Sequence, residues 1–419
     1  PVDFIDKNST AKKGNENYKK GQKSKKSFND LIKDYSEISG LFTFYHKEDK
    51  NKCYIAITPE QLNEIYLLSL TRQSGDGWQF DGSSMLGEFP FYFNKMGERI
   101  QLIRKNTKFR ADADSAISRV LNSHVPNSII SSGKIESSPH PETGAILVDA
   151  KNFFIYDISN VANRTEGKYR LDKDNSSYNY INSYPMNSEI DVLINFSSSK
   201  PQNRFTLASS KSMLHRYHIS ISALPKSEYQ PRIADDRVGH FTTIYQDYSD
   251  TFVEDPYTRY VQRWNLKKEN PKSKMSKPVK PIVFWIENTD PLQFRNAVRD
   301  GILAWNEAFE AIGFKDAIVA KQMPDDADWD PADVRYSAIR WMIHPESAYA
   351  VGPSRANPFT GEIYDADIRI SADFTRSFYR EFDEFVTPVT TDGPIALWEK
   401  EEEELNISKH QCQYSNYLS

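Results

Sequence analysis

The sequence predicts an α+β protein: a β-rich N-terminal domain followed by an α/β unit. Three observations lead there. Between about residues 35 and 265, short runs rich in Phe, Tyr, Ile and Val alternate with turn residues, as successive strands do. Beyond a Lys/Pro/Ser-rich stretch, apolar runs flank one long helical stripe. Aromatic residues make up 13% of a chain whose mean hydropathy is only −0.66, which favours half-buried sheets over a helical bundle.

Residues 1–34 read as a flexible tail, with seven lysines between Lys12 and Lys26 mixed with Gly, Asn and Ser. Residues 35–264 form the β-rich domain, a sandwich or a curved sheet. LFTFYHK, CYIAIT, PFYFN, RIQLIRK, GAILVD, NFFIYDI, DVLINFS and RFTLAS are its candidate strands, and NKMG is a hairpin turn. One helix is expected in TPEQLNEIYLLSL, capped by Thr58 with Pro59 at the first helical position. Residues 265–280, NLKKENPKSKMSKPVK, read as a linker.

The unit at 281–380 opens with PIVFWIE as a strand. Asp290 is the expected N-cap of the next helix, with Pro291 at N1 and Gln293 at the capping-box position. Phe294, Val298, Ile302, Trp305, Phe309 and Ile312 recur at spacings of three or four, a core-facing stripe ended by Gly313. AIVAKQ, DVRYSAIRWMI and GPSRANPFTGEIYDADIRIS supply three more strands. Residues 381–419 form an acidic tail, including EKEEEEL at 399–405.

A formal net charge of −5 at pH 7 gives no basic character suited to nucleic acid. No apolar run approaches the length of a transmembrane helix. The first residue is Pro1, so a processed or trimmed chain is expected. Two cysteines, Cys53 and Cys412, make no disulfide scaffold, although they could pair with each other.

Few motifs carry chemistry. His215 and His218 in MLHRYHISIS have opposite parity, so on a strand they face opposite ways and share no metal. Asp326, Asp328 and Asp330 alternate like the start of a calcium loop. Pro331 occupies the position that needs a turning Gly, however, and the closing Glu is missing. A capped turn at Asp330 is the more economical reading. His410 and Cys412 lack a second pair of ligands. GxSxG, P-loop and GxGxxG patterns are absent.

PIVFWIENTDP, AWNEAFEAIGF, DWDPADVRYSAIRW and GPSRANPFTGEIYDADIRIS resemble a family of large bacterial zinc-dependent metallopeptidases of metzincin-like type. RIQLIRKNTKFRA, PRIADDRVGHF and TRYVQRWNL resemble the same proteins' N-terminal domain. The resemblance covers most of residues 40–380. It makes 281–380 a partial metzincin-like domain with a twisted mixed sheet. It implies a secreted or periplasmic enzyme that cleaves a peptide or protein substrate.

In that family a strand like 366–371 is the edge strand above the zinc, and substrate pairs with it. The resemblance therefore implies substrate-binding roles for Ala366, Asp367, Ile368, Arg369 and Ile370, chiefly through their backbone. Asp367 and Arg369 share one face and could tune specificity. The family's zinc helix carries HExxH, and this sequence contains none. No catalytic or zinc-ligand residue carries over, so the zinc ligands are expected outside this chain. They would lie on further polypeptide or on a second chain; otherwise the protein is an inactive binding or structural module of the same fold.

Overall fold

The computed structural model describes residues 25–224, 228–250, 252–345 and 347–385. The tail from 386 lies outside the described residues, and with it EKEEEEL, His410 and Cys412.

A seven-stranded antiparallel sheet forms the body of the N-terminal domain. Its strands are β1 (Tyr66–Ser74), β2 (Ser84–Met96), β3 (Arg99–Arg104), β4 (Ser128–Lys134), β5 (Arg170–Ser183), β6 (Asn187–Ser197) and β7 (Ser212–Ala223), in the order β5-β6-β7-β1-β2-β3-β4. A four-stranded sheet, Ser36–Ile38, Thr43–Lys47, Lys52–Ile57 and Ile146–Asp149, packs over it. Phe42, Phe44, Ile55 and Ile57 meet Leu68, Phe91, Phe93 and Ile190 in one continuous buried core. The β-rich domain is therefore a sandwich. The NKMG hairpin forms as expected: Met96 pairs with Arg99 across Gly97, whose φ of +56° suits a residue without Cβ.

Four expectations fail in this domain. NFFIYDI holds a helical turn, Lys151–Phe154, and RFTLAS forms turns with no strand. TPEQ closes only a 3₁₀ turn, Pro59–Gln61, although Gln61 does reach back to the Thr58 amide at 3.0 Å. The following YLLSL is strand β1, central in the sheet between β7 and β2. Pairing on both edges and burial on both faces override a local helical preference. Residues 1–24, with most of the lysine run, lie outside the described residues, but 25–34 are folded and not part of a flexible tail. Phe28–Ile32 form a helical turn, and Phe28 is buried between Tyr45 and His140, with ring centroids at 5.7 and 4.9 Å.

The second unit contains a five-stranded mixed sheet of β8 (Ile282–Ile286), β9 (Ile318–Gln322), β10 (Ser337–Met342), β11 (Ala350–Val351) and β14 (Ile368–Ser371), ordered β9-β8-β10-β14-β11. Four strands are parallel and β11 is antiparallel. Helix α1 (Arg295–Ala311) crosses from β8 to β9 and lies on one face. Two further strands, β12 (Ser354–Ala356) and β13 (Glu362–Ala366), join Arg263–Trp264 in a small sheet between the two units. Gly361, at φ +79°, turns the chain there; a Cβ would sit 2.8 Å from the Val261 carbonyl oxygen. Helix α2 (Ala372–Phe385) follows β14 directly and runs past the expected domain limit at 380. Among the described residues no helix is long and apolar enough to cross a membrane. The protein is thus α+β and β-rich.

Three details of this unit correct the sequence reading. The helix starts at Arg295, after a turn at Pro291–Phe294, and Asp290 does not cap it. The stripe is only half covered: Ile302 is buried, Val298 and Phe309 pack partly, and Trp305 is 63% exposed. Residues 265–280 are a folded arm: Lys268 pairs with Pro278, and its Nζ donates to the Ser273 and Lys274 carbonyls at 3.1 and 2.8 Å. Leu266 packs on the second core.

Candidate functional site

The strand expected to align substrate is β14, and it is not an edge. β10 flanks it on one side over Ile368–Ser371, and β11 on the other at Arg369 and Ile370. The free edge of the sheet falls to Ala350 and Val351, both exposed. The physical reason is the chain reversal at 343–350, which lays two more residues outside the strand.

The alternation within 366–370 does hold. Ala366, Ile368 and Ile370 turn to the α1 face and join its apolar cluster. Asp367 and Arg369 turn the other way, towards the interior of the protein. Ala366 is buried, and its amide donates to Ser337 Oγ at 3.1 Å. Asp367 is 1% exposed and accepts from the Ala338 amide at 3.3 Å. Burial, opposed by Arg340 and Arg355, moves the Asp367 carboxyl up to about 6.

Arg369 enters the N-terminal domain. Its Nη1 lies 2.7 Å from Asp81 Oδ2 and 2.6 Å from Ser84 Oγ. Asp81 also accepts from Arg72 at 2.9 Å and from the Tyr349 hydroxyl. Burial works against the Asp81 carboxylate, but Tyr349, Arg369, Ser84 and Arg72 together hold it below the usual range. The neighbouring Arg355, on β12, lies 3.1 Å from Asp365 and donates to the Gly87 and Leu70 carbonyls, both at 3.2 Å, and to Thr71. These side chains fasten the two units together and are not presented to a substrate.

On the other face, α1 and the sheet leave an open apolar groove of about 490 Å³. Trp264, Phe284, Ile302, Trp305, Ile368 and Ile370 line it. The regular spacing of the stripe predicts a core face and does not show that half of it is uncovered.

The two histidines of β7 separate as their parity requires. His215 packs against Phe80 and Phe196, and burial pushes it down to about 3. On the opposite face, His218 meets Asp191 and Asp330, the one group of three metal-ligating side chains found among the described residues. Asp330 is the last of the three alternating aspartates, whereas Asp326 and Asp328 are exposed. The expected capped turn is present, because Asp330 Oδ1 accepts from the Ala332 amide at 2.8 Å.

This cluster does not suit a metal. Arg216 Nε lies 2.9 and 3.1 Å from the two Asp191 oxygens, and its Nη2 lies 3.3 Å from Asp330. Gln73 donates to Asp330 at 2.7 Å. His218 Nε2 is 2.8 Å from Glu189, and Nδ1 is 2.9 Å from the Tyr180 hydroxyl. Burial alone would lower His218, but the neighbouring carboxylates, Asp191 at 3.8 Å and the hydrogen-bonded Glu189, outweigh that and hold it up at about 10. A metal needs a neutral imidazole with a free nitrogen. Here a guanidinium and an imidazolium already pair with the carboxylates. The group is an ion network that pins the 325–333 loop to the sheet.

Neither a curated protein nor a solved structure matches this chain. Residues 83–269, from the start of β2 into the folded arm, match a family model described as a domain of unknown function, DUF5117.

Proposed function

We propose that this chain is the non-catalytic portion of a zinc-dependent metalloendopeptidase of metzincin-like type, secreted or periplasmic. The zinc ligands lie on polypeptide outside residues 1–419. The observation that carries this reading is the open groove beside β14. Its apolar walls, α1 on one side and Ile368 and Ile370 on the other, suit the buried side of one further helix, and the resemblance calls for a helix bearing HExxH after this strand. Bound zinc supplies Lewis acidity and a water of lowered pKa.

The chain's own residues supply placement. An extended peptide substrate can add to the free edge at Ala350 and Val351. Ala366, Asp367, Ile368, Arg369 and Ile370 hold that edge from within. The sandwich then serves as a regulatory or substrate-recognition domain fixed to the sheet through Arg355 and Arg369.

The test is to read the coding sequence on from Ser419 and express the extended protein. An HExxH helix, one zinc per chain and hydrolysis of an unfolded protein, lost on replacing the motif Glu by Gln, are expected. Residues 1–419 alone should hold less than one zinc. Stoichiometric zinc on residues 1–419 would overturn the assignment of the ligands. A stop codon, with no second chain supplying the motif, would leave the inactive binding module.

A further inference from the structure

The face of the five-stranded sheet opposite α1 forms the floor of a second cleft, of about 420 Å³. Trp264, Trp285 and Tyr364 give it an aromatic interior, and Lys267, Lys280 and Lys321 stand on its rim. The Tyr364 hydroxyl is buried and has no hydrogen-bond partner among the described residues. Lys321 Nζ lies 5.0 Å from the centre of the Trp285 ring, and neither it nor Lys280 makes an ion pair among the described residues. Glu362, the one acid on the lining, is engaged by Asn265 at 2.9 Å. The arm that borders the cleft, 265–280, carries six lysines against one glutamate, in a chain whose net charge is −5. An apolar floor with a cationic rim selects a segment that is apolar at one end and acidic at the other.

The chain contains such a segment. In PIALWEKEEEEL, residues 394–405, Ile395, Leu397 and Trp398 precede five glutamates offset by one lysine. We propose that this segment docks intramolecularly on the cleft, with its apolar head over Trp264 and Trp285 and its glutamates against Lys267, Lys280 and Lys321. Chain length permits it. The ten residues from Phe385 to Ile395 can span roughly 35 Å, against a radius of gyration of about 13 Å for a unit of a hundred residues. The inference does not depend on the peptidase reading, since Trp285, Lys267, Lys280 and Lys321 line the cleft and not the groove.

The full chain is treated with a carbodiimide, which joins carboxylates to lysines only in direct contact, and the products are mapped by mass spectrometry. Links from Glu401, Glu402, Glu403 or Glu404 to Lys267, Lys280 and Lys321 are expected. They should disappear at about 1 M salt, where the screening length is about 3 Å, and when the four glutamates are changed to Gln. The triple variant Lys267→Ala, Lys280→Ala, Lys321→Ala alters exposed side chains, and its near-ultraviolet circular dichroism verifies the fold. It should expose residues 386–405 to protease faster than the parent. Links spread over the exposed lysines without preference, or unchanged protease susceptibility in the triple variant, would overturn the proposal. Links confined to pairs of isotopically light and heavy copies would overturn the intramolecular assignment.

Discussion

Arg369 on β14 reaches Asp81 in the N-terminal domain at 2.7 Å, across 288 residues of sequence. Both side chains are largely sheltered, at 13% and 14% exposed. The strand to which the resemblance assigns substrate contact is anchored through this pair to the loop between β1 and β2.

Arg369→Ala leaves Asp81 with a lost cation in a sheltered site. The expected destabilisation is about 3 kcal/mol, since removing one partner strands the other's charge. Urea denaturation of the parent, Arg369→Ala, Asp81→Asn and the double variant measures the coupling. Costs that simply add would show that the pair contributes nothing of its own.

His218 makes stability depend on pH in a definite direction. Tyr180, Glu189, Asp191, Asp330 and Arg216 face it. Its folded pKa is held up at about 10, above the ordinary 6.5. The folded state therefore binds the proton more tightly, and this stabilisation is complete below 6.5 and is lost as pH rises towards 10. Thermal unfolding from pH 6 to 10 should show a decline that is reduced in His218→Gln. Equal slopes in both proteins would contradict the charged imidazolium.

Glu88 acts on the same side of the pH scale by a different route. Its Oε1 accepts from the Ala356 amide at 2.9 Å, and its other oxygen has no partner. Burial, partly offset by Arg355, raises this carboxyl to about 7 from 4.5. A raised acid favours the protonated fold, so its contribution is lost as pH climbs from 4.5 through 7. Glu88→Gln should raise the melting temperature at pH 8 and leave it nearly unchanged at pH 4. A lower melting temperature for Glu88→Gln at pH 8 would rule this out.

The two walls of the α1 groove should respond unequally. Ile302 is 8% exposed, and Ile302→Ala should cost about 2 to 4 kcal/mol. Trp305, at 63% exposed, should tolerate Trp305→Ser within about 0.5 kcal/mol. The same change should lower binding of an apolar dye such as ANS, because it removes one wall of the groove. A large loss of stability in Trp305→Ser would mean that the groove is covered in solution.

Strand identity was legible for most of the apolar runs between turns, though not for NFFIYDI, which holds a helical turn, or RFTLAS, which forms no strand; the opposite facing of His215 and His218 was legible because two-residue periodicity needs only local sequence. The turn at Asp330 was legible for the same reason. YLLSL was not: its helical appearance is local, and its placement between β7 and β2 is decided by partners far away. The edge was not legible either, since nothing in ADIRIS shows that Ala350 and Val351 will lie outside it. The stripe of α1 gave the direction of burial but not its extent. That Arg355, Arg369 and Asp81 belong together is a consequence of topology and leaves no trace in spacing.

The fastening by Arg355 also sets a timetable for the chain's birth. Thr71 and Glu88 leave the ribosome some 284 and 268 residues ahead of the β12 residues they bond. At ordinary translation rates that interval is roughly 15 to 60 s. Throughout it, the β1–β2 hairpin must keep its acceptors wet or in the hands of a chaperone. A nascent chain halted near residue 340 would therefore carry a sandwich whose sheet is paired but whose polar seam is open. Protease sensitivity at that seam, closing only as the last strands emerge, would date the moment the molecule becomes whole.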